Sequence, residues 1–290
     1  MHSLGMFLPA FYQIAGYHLR IQKEPGAVSV FCPHVIDEFS ANHGEQTDDF
    51  ILTIKASAPN TKISENQQII LNSDSIVMEY GTETERLYVK SDLDLKHWDL
   101  YTTYRDRHID DWYEKIGNLF AWAMPGKGAL MLHGVLMEWQ GKGIILTASS
   151  GTGKTTHARL WREYENALIT NGDRVLIRKE EGQWYAFGTP WSGSSGECVN
   201  RKVSLDAVVF LNRGKINEVY PVSPIQGMEK ILPRIIAPKW HEKYSLMAID
   251  LAIKCLEEIP LYELYCRPDA ESVCTLKQAC NGVQREHYKN

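Results

Sequence analysis

The chain has 290 residues, 44% of them hydrophobic and 23% charged, with a formal charge of −5. This is ordinary globular composition, enough for one large or two small domains, and it lacks the basic stripe of a general nucleic-acid binder. No apolar run reaches the length of a membrane span, and the moderately apolar N-terminus has no basic lead and is broken by Pro9, Gln13 and His18, so neither a membrane partner nor a signal peptide is expected.

The first hundred residues are β-rich. Strands are predicted over 16–21, 49–54, 68–71, 75–80 and 86–90, separated by turns such as Ala58-Pro59-Asn60 and Asn72-Ser73-Asp74. A helix follows over 109–124, with Trp112, Ile116, Leu119, Phe120 and Ala123 at helical spacing as core residues, and Pro125-Gly126 stops it. Residues 129–139 and 143–147 read as two strands of a hairpin joined by the polar turn Gln140-Gly141-Lys142-Gly143. A glycine-rich loop and a helix over about 154–164 come next, then a strand over 167–170 that ends in Asn171-Gly172-Asp173-Arg174. Residues 175–177 and 184–187 form another hairpin about Glu181-Gly182, and 188–196 is a Gly/Ser loop. A strand over 205–211, a helical region clearest at 241–258, a strand over 260–266 and a helix over 269–279 capped by Asp269 complete the chain. Hairpins outnumber strand–helix alternations, so the expected class is α/β with a mixed sheet. The expected division is a β-rich region over 1–105 and a catalytic domain over 106–290.

The chemistry concentrates at Ala148-Ser149-Ser150-Gly151-Thr152-Gly153-Lys154-Thr155-Thr156, which follows the apolar strand Ile144-Ile145-Leu146-Thr147. A strand, a glycine-rich bend and a helix start form a P-loop: the bend turns backbone N–H groups inward and the helix dipole favours an anion. Residues Ser149 to Thr156 are the candidate nucleotide cradle, with Lys154 reaching the outer phosphates and the Thr155 hydroxyl on Mg²⁺. Ala148 replaces the first glycine of the pattern, which is tolerable where that φ is negative. Asp173, at the end of the next strand, is the candidate metal carboxylate; a solvated turn aspartate is the plainer alternative. His133 lies across the hairpin from the P-loop strand and is a candidate catalytic group; taken alone, a histidine between apolar residues is more often part of a core. Arg174 and Arg267 are further candidates for phosphate or carboxylate, although surface solvation is the commoner role. The six cysteines, Cys32, Cys198, Cys255, Cys266, Cys274 and Cys280, form no CxxC pair and suit a reducing, cytoplasmic setting. A metal site from Cys266, Cys274 and Cys280 is the lesser alternative.

Taken together, Met131-Leu-His133-Gly134, Ser150-Gly-Thr-Gly-Lys-Thr155 and Asn171-Gly-Asp173-Arg-Val resemble the catalytic domain of HPr kinase/phosphorylase, which shares its P-loop core with the ATP-type PEP carboxykinases. The match runs over about 129–211, and the whole chain is similar to compact HPr kinase-like proteins, including those that phosphorylate a serine of lasso-peptide precursors. The resemblance implies ATP and Mg²⁺ as cofactors, a peptide or small protein with a serine as acceptor, and self-association into a homo-oligomer. It implies His133 beside the base or phosphate, Thr155 on the metal, and two adjacent aspartates of which this chain keeps only the second, Asp173, with Gly172 in place of the first. Either Asp173 serves as base and metal ligand in turn, or His133 takes the proton with help from Asp173. The family's later metal-binding glutamate has no clear counterpart; Glu197 is the nearest. The 188–196 loop is open to phosphate binding, peptide binding or a linker role. Rival readings are HPr as the acceptor, a PEP carboxykinase-like metabolic enzyme, or a nucleotide-binding regulator without catalysis.

Overall fold

The structure, a computed structural model, describes residues 10–27, 34–42, 44, 47–57, 68–81, 86–102 and 109–282. The turn at Ala58-Pro59-Asn60, Cys32 and the Trp112 side chain lie outside the described residues. The protein is mixed α/β, with two mixed sheets in two compact units, Met1–Lys127 with Pro238–Tyr244, and Gly128–Ala237 with Ser245–Asn290.

The first unit holds β1 (Ala10–Ile14), β2 (Tyr17–Lys23), β3 (Phe50–Ile54), β4 (Gln68–Leu71), β5 (Ser75–Gly81), β6 (Arg86–Asp92), β7 (His97–Thr102) and α1 (Ile109–Ala123). The strands lie in the order β1-β2-β3-β7-β6-β5-β4. Its core is aromatic: Phe50 stacks on Trp98 and meets Phe120 of α1 edge-on, each at 5.3 Å between ring centres. Helix α1 lies in this unit, whereas the expected division set 106–124 with the catalytic region. The helical spacing of Ile116, Leu119, Phe120 and Ala123 marks the buried face that packs here.

The second unit holds β8 (Ala129–His133), β9 (Val135–Trp139), β10 (Lys142–Thr147), α2 (Lys154–Glu165), β11 (Leu168–Asn171), β12 (Arg174–Glu180), β13 (Gln183–Phe187), β14 (Lys202–Arg213), β15 (Glu218–Pro221), α3 (Pro224–Ile231), α4 (Glu242–Glu258), β16 (Leu261–Cys266) and α5 (Ala270–Gly282). The sheet runs β11-β9-β10-β14-β13-β12-β8, and the far half of β14 pairs with β16, which carries β15. Strands β10, β14 and β16 are parallel. Both faces of this sheet are covered. Ile144, Leu146 and Val209 pack with Ala158, Trp161, Val273 and Leu276, while Ile145, Val208 and Phe210 pack with Ile231, Ala248, Ala252 and Leu256. Burial on two faces is why 144–147 reads as an unbroken apolar run. Both hairpin turns have the left-handed pair that two-residue connections demand, Gln140 (φ 51) with Gly141 (φ 77) and Glu181 (φ 49) with Gly182 (φ 84). Among the described residues no helix is long and apolar enough to cross a membrane.

Helix α2 is anchored by Trp161, fully buried and edge-on to Trp139 at 5.2 Å. One turn earlier, His157 is buried and accepts from Trp161 Nε1 through Nε2 at 3.2 Å, which leaves Nδ1 to face Ser272 Oγ at 3.4 Å. Burial pulls His157 from 6.5 down to about 4, against a smaller opposing pull from Asp269. The folded value lies below the unfolded one, so between those two values the unfolded chain binds a proton that the native chain refuses. Stability is complete above the unfolded value and falls with pH below it, by about 3 kcal/mol over the whole drop. In urea unfolding, the wild type should lose stability between pH 7 and pH 5, and His157→Gln should lose distinctly less. Equal losses would mean that His157 is not held neutral.

Candidate functional site

The glycine-rich loop spans the gap between the C-terminal end of β10 and the start of α2. Gly151 (φ 73) and Gly153 (φ 116) are left-handed, and nothing lies within 4 Å of where a Cβ would stand on either. The bend is open, and a side chain at either position would be strained by backbone rather than by contact. Ala148 is buried and is not among the left-handed residues, so alanine fits where the pattern has glycine. Gly153 is the N-cap of α2 and offers no side chain to its first turn, which leaves those N–H groups to an external acceptor.

The strand expected over 129–139 is broken at Gly134. Its first half, β8, pairs with β12, and its second half, β9, pairs with β10. A Cβ at 134 would lie 3.0 Å from Leu146 O and 3.1 Å from Ile145 Cγ2, so any larger residue would press β10 back by a few tenths of an ångström where the chain crosses. The crossing puts His133 between two partners: it is the register partner of Arg174 on β12, and its carbonyl accepts from Thr147 Oγ1 at 3.0 Å. This places it at the foot of the loop.

Asp173 is held in a built turn rather than a solvated one. Asn171, fully buried, accepts from the backbone N–H of Asp173 (2.9 Å) and of Arg174 (2.7 Å), and donates to Thr189 O at 2.7 Å. Thr189 Oγ1 in turn donates to Arg174 O at 2.7 Å, and Gly134 N donates to Asp173 O at 2.8 Å. The sequence marks Asn171 only as part of the turn and motif around Asp173, and Thr189 only as a residue of the 188–196 loop; an Asn two residues before Asp173 is the known chemistry of an Asx turn.

Three of the expected residues come together. Lys154 Nζ lies 3.3 Å from His133 Nε2 and 3.2 Å from Ala148 O, and His133 Nδ1 lies 3.0 Å from Asp173 Oδ1. An ammonium can only donate, so hydrogen-bond logic makes Nε2 the acceptor and puts the ring proton on Nδ1, donated to Asp173. Arg174 Nε stands 3.8 Å from the other carboxylate oxygen. Burial lowers the Lys154 ammonium below its ordinary value; Asp173 opposes this and Arg234 adds to it. Two arginines that carry no motif also reach the loop. Arg213, at the end of β14, donates to Gly151 O at 2.6 Å, and Arg234 donates to Ser149 Oγ at 2.8 Å.

The 188–196 segment is a packed element, not a linker. Thr189, Trp191 and Ser192 are buried, and Gly193 lies against the Asp173 carboxyl, where a Cβ would come within 2.9 Å of Cγ. Ser195 fills the space beside Gly172: a Cβ there would lie 1.8 Å from Ser195 Oγ and 3.1 Å from Ser192 O. A carboxylate could not occupy position 172 without moving this turn. Gly172→Ala should therefore destabilise the protein by about 1–3 kcal/mol, the usual range for overpacking. The double change Gly172→Ala with Ser195→Gly should recover most of that loss in denaturant unfolding; no recovery would mean that Ser195 is not the obstacle. Glu197 is engaged elsewhere, with Arg162 at 2.7 Å and Arg159 at 3.8 Å. Arg267 pairs with Asp269 (2.9 Å) and Glu271 (2.6 Å) at the start of α5, where Asp269 also caps Ser272 N as expected. Among the described residues no three His, Cys, Asp or Glu side chains gather as a metal set, and Cys266 and Cys280 are pushed up to about 11 by burial.

The family profile described as SynChlorMet cassette protein ScmC matches residues 115–267, more than half of the sequence. The chain belongs to the ScmC family. The ScmC match encloses His133, the whole glycine-rich loop, Asp173, Arg213 and Arg234. A solved HPr(Ser) kinase/phosphatase from Coxiella burnetii is 11% identical, with a TM-score of 0.31 over 54% of this ScmC-family chain and 99% of its own. That superposition is too loose for anything to be transferred. No curated protein matches the sequence.

The residues of this ScmC-family site fit a nucleotide triphosphate. The bend is open at both glycines, and the cations at its rim, Lys154 and Arg234, contact loop oxygens. The Thr155 hydroxyl, in the first turn of α2, and the Asp173 carboxylate are oxygen donors of the type a Mg²⁺ takes, which is usually held by one or two protein oxygens together with phosphates and water rather than by a carboxylate cage.

Proposed function

We propose that this ScmC-family protein is an ATP-dependent kinase that transfers the terminal phosphoryl group to a serine hydroxyl of a peptide or small protein. One observation carries this reading: Lys154, His133 and Asp173 form a hydrogen-bonded line at the foot of an open glycine-rich bend. Such a line supplies what phosphoryl transfer asks of a protein, namely a cradle, charge for the leaving oxygens, and a group that orients the acceptor.

Lys154 leaves His133 to meet the outer phosphates, which frees Nε2 to face the acceptor. Asp173 holds Nδ1–H and so keeps the accepting nitrogen turned towards the serine hydroxyl. The serine oxygen bonds to phosphorus, the bond from phosphorus to the bridging oxygen breaks, ADP leaves, and the serine proton passes to His133 Nε2. The first-turn N–H groups of α2 and the amides about Gly151 orient the phosphates. Thr155 and Asp173 would hold Mg²⁺, which would supply charge neutralisation when bound.

The packed 188–196 turn beside Asp173 is the natural rest for the acceptor backbone. The C-terminal serine of a lasso-peptide precursor is the acceptor that the sequence resemblance suggests, with HPr as the alternative. Incubation with MgATP and each candidate acceptor, read by mass spectrometry, should show one added phosphate that disappears when the serine is replaced by alanine. ATP binding without transfer to any candidate would favour a regulatory role, a reading that Gly172 and the paired Glu197 support. The buried thiols of Cys255 and Cys266 and the partly buried thiol of Cys280, raised to about 12, 11 and 11, suit the reducing cytoplasm proposed for it.

A further inference from the structure

Arg234 reaches the site from a segment that no motif marks, yet its backbone is fixed. It ends the short turn Leu232–Arg234, which closes with Ile235 N donating to Leu232 O at 3.3 Å. Ile235 is buried and bridges Leu132 antiparallel, and Ile236 N donates to Met131 O at 2.9 Å. Extending that register by one residue sets Arg234 opposite His133. The side chain then reaches Ser149 Oγ in the first half of the loop. Among the described residues no carboxylate lies within ion-pair distance of it, unlike Arg162, Arg201 and Arg267, each of which has one.

An arginine without a carboxylate, fixed on the rim of a loop that already holds Lys154, is an unfavourable arrangement until an anion joins it. Two cations sharing one rim repel each other, and each disfavours the charged form of the other. The guanidinium fork suits two oxygens of one phosphate, which a serine hydroxyl does not replace. Arg234 is near enough to Lys154 to disfavour its charge, and both contact the first residues of the loop, Ser149 and Ala148, so the two cations would act on one bound phosphate chain.

We propose that Arg234 grips the terminal phosphate of the nucleotide opposite Lys154 and so makes the site select a triphosphate over a diphosphate. This deepens the kinase reading and rests on it. The test is calorimetric titration of the full chain and of Arg234→Gln with MgATP and with MgADP. Loss of the charged fork should weaken MgATP at least about tenfold and MgADP less than about threefold. Arg234→Lys should restore only part of the ATP affinity, because a point charge cannot hold two oxygens at once. Arg267→Gln, whose side chain is paired at the start of α5, should leave both affinities as in the wild type. Equal losses for both nucleotides, or none, would overturn the assignment. A wild type that binds neither nucleotide would defeat the kinase reading itself; binding of both with an unchanged ratio in Arg234→Gln defeats only the role of Arg234.

Discussion

Lys154→Ala is expected to weaken MgATP by about ten- to a hundredfold, the range for losing a hydrogen bond to a charged group, and to abolish measurable phosphoryl transfer. The fold should survive and melt no earlier than the wild type. Burial lowers the Lys154 ammonium, which means that the free protein carries this charge at a cost. Among the described residues its hydrogen bonds are to Ala148 O and His133, and neither holds an element in place. Truncation should therefore cost function without costing stability, which nucleotide titration and thermal melting on one preparation would check. Retained transfer would remove the loop from the mechanism.

Asp173→Asn is expected to lower transfer by about a hundred- to ten-thousandfold, the contribution usual for positioned proton transfer, while MgATP affinity falls far less. Asparagine keeps the size and leaves the turn built by Asn171 intact. What changes is the proton arrangement. An amide that turns its NH₂ towards His133 Nδ1 forces the ring proton to Nε2, where it faces the Lys154 ammonium, donor against donor. The accepting nitrogen is lost even though every atom is still in place. Single-turnover rates separate this from weaker acceptor binding: if saturating peptide restores the wild-type rate, Asp173 neither orients His133 nor holds a metal.

Much of the second unit was legible because its signals are local. The apolar run 144–147, the turn pair Glu181-Gly182 and the Asp269 cap each depend on neighbouring residues, and each appears where the sequence puts it, while the polar turn expected over 140–143 tightens to Gln140-Gly141 because Lys142 and Gly143 already belong to β10. The break at Gly134 was not legible. Apolar residues continue on both sides of it, and the reason for the glycine is a backbone oxygen twelve residues away, at Leu146. The same holds for the site. Lys154, His133 and Asp173 could be named from spacing and resemblance, but the order in which they touch depends on the pairing of β8 with β12. Arg213 and Arg234 come from the end of a long strand and from a short turn after α3, with no local pattern to mark either. Gly172 reads as a missing carboxylate until Ser195 is found in the space, and that contact joins two turns with no sequence link between them.

The most direct test of the whole account is a crystal structure of the full chain with Mg²⁺ and a non-hydrolysable ATP analogue. The account predicts the outer phosphates in the bend between Gly151 and Gly153, Lys154 moved from His133 onto them, and Asp173 and His133 facing the terminal phosphate. A nucleotide bound elsewhere, or one in the bend with His133 and Asp173 turned away from it, would contradict the account.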